Sequence, residues 1–87
     1  MSMSEEERAR QRLVRRAALG SRLRQLRTDR RLSQEALARK AGVDRATYSR
    51  IETGSAGAHV DTLWEIAAAL GVPMAELFRE PRRPDQF

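Results

Sequence analysis

The fold class this sequence predicts is all-α, and three observations carry it. Apolar residues recur at three- and four-residue spacing between Leu19 and Leu77, the period of helices with one face turned inward. Ser33 and Asp44 stand just before such runs, and Gly42, Gly54 and Gly71 just after them, where helix caps and left-handed stops belong. No stretch alternates apolar and polar residues as a strand does, and there is no internal repeat. At 87 residues the chain makes one small domain, whose modest core leaves room for dimerisation to add stability.

Residues 1–18 are expected to form a basic N-terminal helical extension. Ser4 and Glu7 make a capping box, Glu5 and Glu6 suit the positive end of the helix dipole, and Glu6–Arg10 is an i,i+4 pair of the favoured orientation. Leu13, Val14 and Ala17 offer only a thin apolar stripe, so this segment either continues into the next helix or stays partly frayed. Gly20 is the expected weak point, since glycine inside a helix costs about 1 kcal/mol relative to alanine.

The domain proper is expected over residues 19–79. Its first helix runs from Leu19 to Arg30 with Leu19, Leu23 and Leu26 on one face. Ser33 caps a second, Gln34 to Ala41, with Leu37, Ala38 and Ala41 inward. Asp44 caps a third, Arg45 to Thr53, with Tyr48 and Ile51 inward. After a loop from Ser55 to Val60, a fourth helix spans Asp61 to Leu70 and buries Leu63, Ile66, Ala67 and Leu70. Pro73 suits the first turn of a fifth helix, Met74 to Arg79, in which Leu77 and Phe78 close the core. Residues 80–87 carry two prolines and no periodicity, and are expected to be a mobile tail.

Composition excludes several function classes. There is no cysteine and only one histidine, so neither a disulfide framework nor a zinc site is expected. No apolar run approaches the roughly 20 residues of a membrane span, and the acidic, then arginine-rich start lacks the apolar centre of a signal peptide. A cytoplasmic protein without a cofactor is the expectation. No nucleophile–histidine, carboxylate–histidine or phosphate-loop constellation points to an enzyme. The charge is uneven: residues 8–50 hold 14 of the 17 basic residues and three acids, a balance of +11, whereas residues 51–87 balance at −3. A basic front half is the electrostatic footprint of a polyanion binder, or else a heavily solvated helical surface.

Residues 33–53 have the form of two short helices joined by a glycine-containing turn, a helix-turn-helix whose second helix presents polar and basic side chains. The wider string strengthens this: Leu19-Gly20, Arg22-Leu23, Leu26-Arg27, Leu32-Ser33-Gln34, Leu37-Ala38, Gly42-Val43, Ile51-Glu52, Gly54, Thr62-Leu63, Ile66-Ala67, Leu70-Gly71-Val72 and Leu77. Over about two-thirds of the chain it resembles the lambda-repressor-like family, also called XRE or Cro-like. The resemblance implies a compact five-helix domain and a transcriptional regulator, commonly a dimer on operator DNA. Two departures stand out. Arg31 occupies a position where the family often has a glycine of positive φ, so it must accept strain or turn differently. Ser55-Ala56-Gly57-Ala58-His59 replaces a loop that in relatives is often basic and ends in a serine or threonine cap.

The site residues follow from motif and resemblance together. With Tyr48 and Ile51 inward, the third helix exposes Arg45, Ala46, Ser49 and Arg50 to a DNA groove. The two arginine forks suit guanine O6 and N7, and Ala46 suits a thymine methyl. Gln34, Thr47, Ser55 and Arg22 are the candidate phosphate contacts, Gln34 by its match to a family position that touches a phosphate and supports the start of the recognition helix. The resemblance also implies that Arg27 and Glu52 form a partly buried structural ion pair. Trp64 is expected to pack in the core or at its edge, with a dimer contact as its second reading; Val72, Met74 and Trp64 are the candidate dimer contacts. His59 is expected to be a surface or helix-start residue. The cluster Arg8, Arg10, Arg12, Arg15 and Arg16 lies outside the family domain. It can meet DNA phosphates or a minor groove, pack on a partner, or remain solvated. The expected partners are double-stranded DNA and a second copy, with a protein partner on the N-terminal helix as a further candidate. An antitoxin-type or anti-regulator module that represses its own operon is the alternative function.

Overall fold

The computed structural model describes residues 2–82. Among them are four α-helices: α1, Glu5–Asp29; α2, Gln34–Ala41; α3, Arg45–Thr53; and α4, Val60–Leu70. A short 3₁₀ helix, Met74–Phe78, follows. The caps stand where side-chain chemistry puts them. Ser4 Oγ accepts from Glu7 N (3.1 Å), Ser33 Oγ from Ala36 N (3.0 Å) and Asp44 Oδ2 from Thr47 N (3.2 Å), each satisfying an amide with no partner inside its helix. α4 begins at His59 without a side-chain cap. The apolar faces converge on one core whose largest fully buried side chains are Tyr48, Leu23, Leu37, Ile51, Ile66 and Leu77.

The N-terminal segment and the first helix of the domain are one continuous helix of 25 residues, about 37 Å long at 1.5 Å per residue. Gly20 is therefore not a break. It is buried, and a Cβ built there would lie 2.1 Å from the backbone oxygen of Glu52. The end of α3 crosses α1 in backbone contact at this point, and the same crossing brings Gly54 against Ala17, whose Cα would be 3.2 Å from an added Cβ. The absent side chain at Gly20 is what lets the two helices meet.

Two further expectations are corrected. The fifth helix is 3₁₀, not α, and ends at Phe78. In an α-helix the Glu76 carbonyl would accept from the amide of Glu80. Here it accepts from Arg22 Nε at 2.8 Å, and Pro81 disfavours helical geometry at Glu80. Leu77 closes the core, but Phe78 is 60% exposed: neighbours in a 3₁₀ helix point about 120° apart, so with Leu77 turned inward Phe78 faces away from the core. Of the expected mobile tail, residues 80–82 are described and lie along α1: the Arg82 amide donates to Gln25 Oε1 (3.1 Å), and its guanidinium pairs with Asp29 (3.0 Å). Residues 83–87 fall outside the described residues.

Between α1 and α2 the chain turns through Arg31 at φ 56°, a left-handed conformation that costs a non-glycine residue roughly 1–2 kcal/mol. Of the two routes open to that position, strain is the one taken. Replacement Arg31→Gly is expected to stabilise the fold by about 1 kcal/mol, read as a higher denaturation midpoint at unchanged slope. Gly20→Ala is expected to do the reverse of what helix propensity alone predicts. It should destabilise by at least the 1–3 kcal/mol typical of overpacking, because the methyl meets backbone; a melting temperature equal to or above wild type would contradict the backbone crossing.

Candidate nucleic-acid interface

The interface is built outward from the junction of α1 and α3. Arg27 on α1 makes a two-pronged contact with Glu52 near the end of α3: Nε donates to Oε2 at 2.9 Å and Nη2 to Oε1 at 2.7 Å. The remaining Nη1 donates to the carbonyl of Leu32 at 2.8 Å, in the turn before α2. One guanidinium thus joins α1, α3 and the approach to α2. The side chains are 13% and 4% exposed, respectively. Burial, the largest single influence, would raise the pKa of Glu52; hydrogen bonds from Arg27, Tyr48 and Gln34 and the Arg27 charge together outweigh it, and the carboxyl is held below its ordinary range. Glu52 in turn raises the pKa of Arg27. The Tyr48 hydroxyl is buried with no hydrogen-bond partner among the described residues; burial, first, and then the nearby Glu52 carboxylate keep it protonated far into the alkaline range.

With its inner side fixed in this way, α3 turns the predicted face outward. Arg45, Ala46 and Arg50 are exposed, and Thr47 and Ser49 are half-buried. Among the described residues neither Arg45 nor Arg50 forms an ion pair; the acids pair instead with Arg22, Arg27, Arg79 and Arg82. The only recorded side-chain bond of Arg50 is a long one, Nη2 to Thr47 Oγ1 at 3.4 Å. Gln34 opens α2, half-buried beside Glu52, and so links the start of α2 to the pair that anchors α3.

Two of the four candidate phosphate contacts have other employment. Arg22 is buried: besides its bond to the Glu76 carbonyl, its Nη2 lies 3.0 Å from Glu76 Oε2, fastening the 3₁₀ helix to α1. The structure thus gives Arg22 a structural role, with little of its guanidinium turned to solvent. The hydroxyl of Ser55 donates to the Arg50 carbonyl at 3.3 Å and lies 3.2 Å from Thr53 Oγ1. Its single proton is thus used in closing α3, leaving none for a phosphate while that bond lasts.

Sequence reasoning missed one arginine altogether. Arg30 Nε donates to the Leu70 carbonyl at 2.8 Å, so a cation meets the negative end of α4. Nothing local signals this, because the two residues are 40 positions apart. Trp64 is 55% exposed and Val60, one turn earlier on α4, is 64% exposed; the expectation that Trp64 packs in the core is corrected, since more than half of it faces solvent. Val72 and Met74 are partly buried against the core. No three histidine, cysteine or acidic side chains cluster as a metal site among the described residues, and no helix there is long and apolar enough to cross a membrane.

Comparison with known proteins places this geometry. Residues 23–77 match the helix-turn-helix family. The control protein C.MunI of a Mycoplasma species is 39% identical over 62 residues, covering 70% of this chain and 84% of that protein. The cryptic phage CTXphi transcriptional repressor RstR of Vibrio cholerae is 40% identical over 57 residues, covering 66% of this chain and 51% of the repressor. Among solved structures, the restriction-modification controller protein C.AhdI from Aeromonas hydrophila superposes with a TM-score of 0.71 at 38% identity, covering 72% of this chain and 96% of the controller. The chain belongs to the XRE-like helix-turn-helix family of transcriptional regulators.

The anchoring pair makes a stability prediction with a sign in pH. Glu52→Gln, which leaves Arg27 buried without its counter-charge, is expected to cost on the order of 3–5 kcal/mol, a fall of at least about 12 °C in Tm for a domain of this size. Because the folded carboxyl titrates below its unfolded value, its contribution is fully present above the ordinary carboxylate range and is lost as pH falls through the folded pKa. Wild type should therefore lose more stability on acidification than Glu52→Gln. Superimposable thermal melts at pH 7 would show that the pair anchors nothing.

Proposed function

We propose that this chain is a sequence-specific, double-stranded DNA-binding transcriptional regulator of the repressor type, acting as a homodimer. Each copy inserts α3 into a major groove, and the two grooves lie about 34–36 Å apart on a palindromic operator. The observation that carries this reading is the outward face of α3. Arg45 and Arg50 are exposed and without acidic partners among the described residues, on a helix whose inner side is tied down by Glu52. Arg45 and Arg50 are the base-reading candidates, Ala46 and Ser49 lie between them, and Gln34 and Thr47 approach the backbone. The similarity to a restriction-modification controller and to a phage repressor supports a control role in transcription.

The dimer reading is supported by α4. Val60 and Trp64, at i and i+4, leave an apolar stripe in solvent, and Val72 and Met74, partly buried, follow beyond the C-terminal end of α4. A second copy related by a two-fold axis would cover this stripe with its own equivalent, as an isologous contact requires.

Binding-site selection from random duplexes is expected to return a two-fold symmetric consensus. On the selected site Arg50→Ala should lose roughly 1–3 kcal/mol and relax preference at one position per half-site, while binding to random duplex changes little. A gel-shift competition in which both duplexes lose equally would assign Arg50 to a phosphate instead.

A further inference from the structure

The loop that follows the recognition helix, Ser55-Ala56-Gly57-Ala58-His59, contains no lysine or arginine. If α3 enters a major groove, that loop lies at the groove's edge. A helix about 10–12 Å across fills a groove about 12 Å wide, so whatever adjoins the end of the helix faces a phosphate strand. The structure supplies the missing charge from another part of the chain. The guanidinium of Arg16, on α1, lies directly over Gly57: a Cβ built on Gly57 would be 3.2 Å from Nη2 and 3.3 Å from Nε. Gly57 has no positive φ to explain it. Its lack of a side chain leaves the space that Arg16 occupies, so the cation sits where a basic loop residue would present its own.

Arg16 is also the inner end of a longer array. Arg8, Arg12 and Arg16 are four residues apart and form one stripe on α1, with Arg15 beside it. No acid occurs anywhere between Arg8 and Thr28. None of these four arginines has an acidic partner within 4.0 Å among the described residues. Arg8, Arg12 and Arg15 are exposed, and only Arg16 is half-buried, against Gly57. Arg12, Arg15 and Arg16 border an open groove of about 670 Å³ whose other side is the segment from Leu77 to Pro81, with Glu80 the one acid along it. From Arg8 to Arg16 the stripe runs about 12 Å along the helix axis.

We propose that this half of α1 is a second DNA-contacting element: Arg16, seated over Gly57, grips the phosphate strand beside α3, and Arg12 and Arg8 extend the grip along the backbone. The inference rests on the DNA-binding reading above and deepens it, because it assigns to α1 the phosphate contacts that the loop cannot make with its own side chains. Such contacts carry no sequence information. They raise affinity for every duplex alike and steepen its dependence on salt.

The test measures binding of the full chain to the selected operator and to a random duplex between 50 and 200 mM salt, by fluorescence anisotropy. Each lost phosphate contact makes the slope of log K against log salt shallower by about 0.9. Arg16→Gln should show about one such step, and Arg8→Gln/Arg12→Gln/Arg16→Gln two to three, with equal fold-losses on both duplexes. Arg16→Lys should keep the wild-type slope. The variants replace surface side chains, and circular dichroism checks that α1 remains helical. A triple variant with the wild-type slope and intact operator binding overturns the inference while leaving the α3 reading in place, and points to a protein surface as the role of the stripe. A loss confined to the operator overturns the phosphate assignment. Failure of the wild-type chain to bind any duplex, together with indifference to Arg50→Ala, overturns the DNA-binding reading itself and this inference with it.

Discussion

The crossing of α1 over the end of α3 is the constraint on which the rest of the structure depends. It has two parts that work only together. Gly20 allows the backbones to touch, and the Arg27–Glu52 pair locks the angle at which they do. Neither part is cheap. Burying two charges forfeits their hydration, a cost that good geometry offsets and does not greatly exceed. The pair therefore contributes specificity of arrangement more than bulk stability, and the bulk comes from the apolar core around Tyr48, Leu23 and Ile51. Arg27 is suited to this because its planar fork satisfies the carboxylate with two donors and still has a third for Leu32. A lysine could neutralise Glu52 but could not hold three segments in register.

The features legible in the sequence are those decided locally. Caps at Ser4, Ser33 and Asp44, and left-handed stops at Gly42, Gly54 and Gly71, depend on a few consecutive residues, and the helices begin and end accordingly. The features not legible depend on segments distant along the chain. Gly20 looks like a helix weakener because propensity contains no information about what crosses the helix. The 3₁₀ segment Met74–Phe78 is fastened to α1 by Arg22, 54 positions away, through the carbonyl of Glu76. The Arg27–Glu52 pair was accessible only through family resemblance; no spacing rule joins residues 25 apart.

The arginines show the same division. Counted along the sequence, residues 8–50 have a balance of +11, and charge alone treats each basic member as available to a polyanion. In the fold, Arg22, Arg27 and Arg30 are engaged by carboxylates or by carbonyls at the ends of other elements. They act as fasteners between helices, a use that matches the five donors and permanent charge of the guanidinium. The arginines without such bonds are concentrated on the outward face of α3 and the first half of α1. The basic balance is thus smaller in effect than in count, but more strongly localised.

This arrangement limits what a loss of DNA binding can mean. α3 has only nine residues, below the roughly 12–15 at which an isolated helix becomes even marginal in water. It therefore owes its existence to the contacts that also orient it. A change at Glu52, Gly20 or Tyr48 would lower DNA binding without any of these residues lying on the outward face of α3, by letting α3 fray or tilt. Contact residues and supporting residues separate only when binding is measured alongside folding: a supporting residue moves both, whereas a side chain such as Arg50, exposed and making no bond to the core, has little in the folded state to lose.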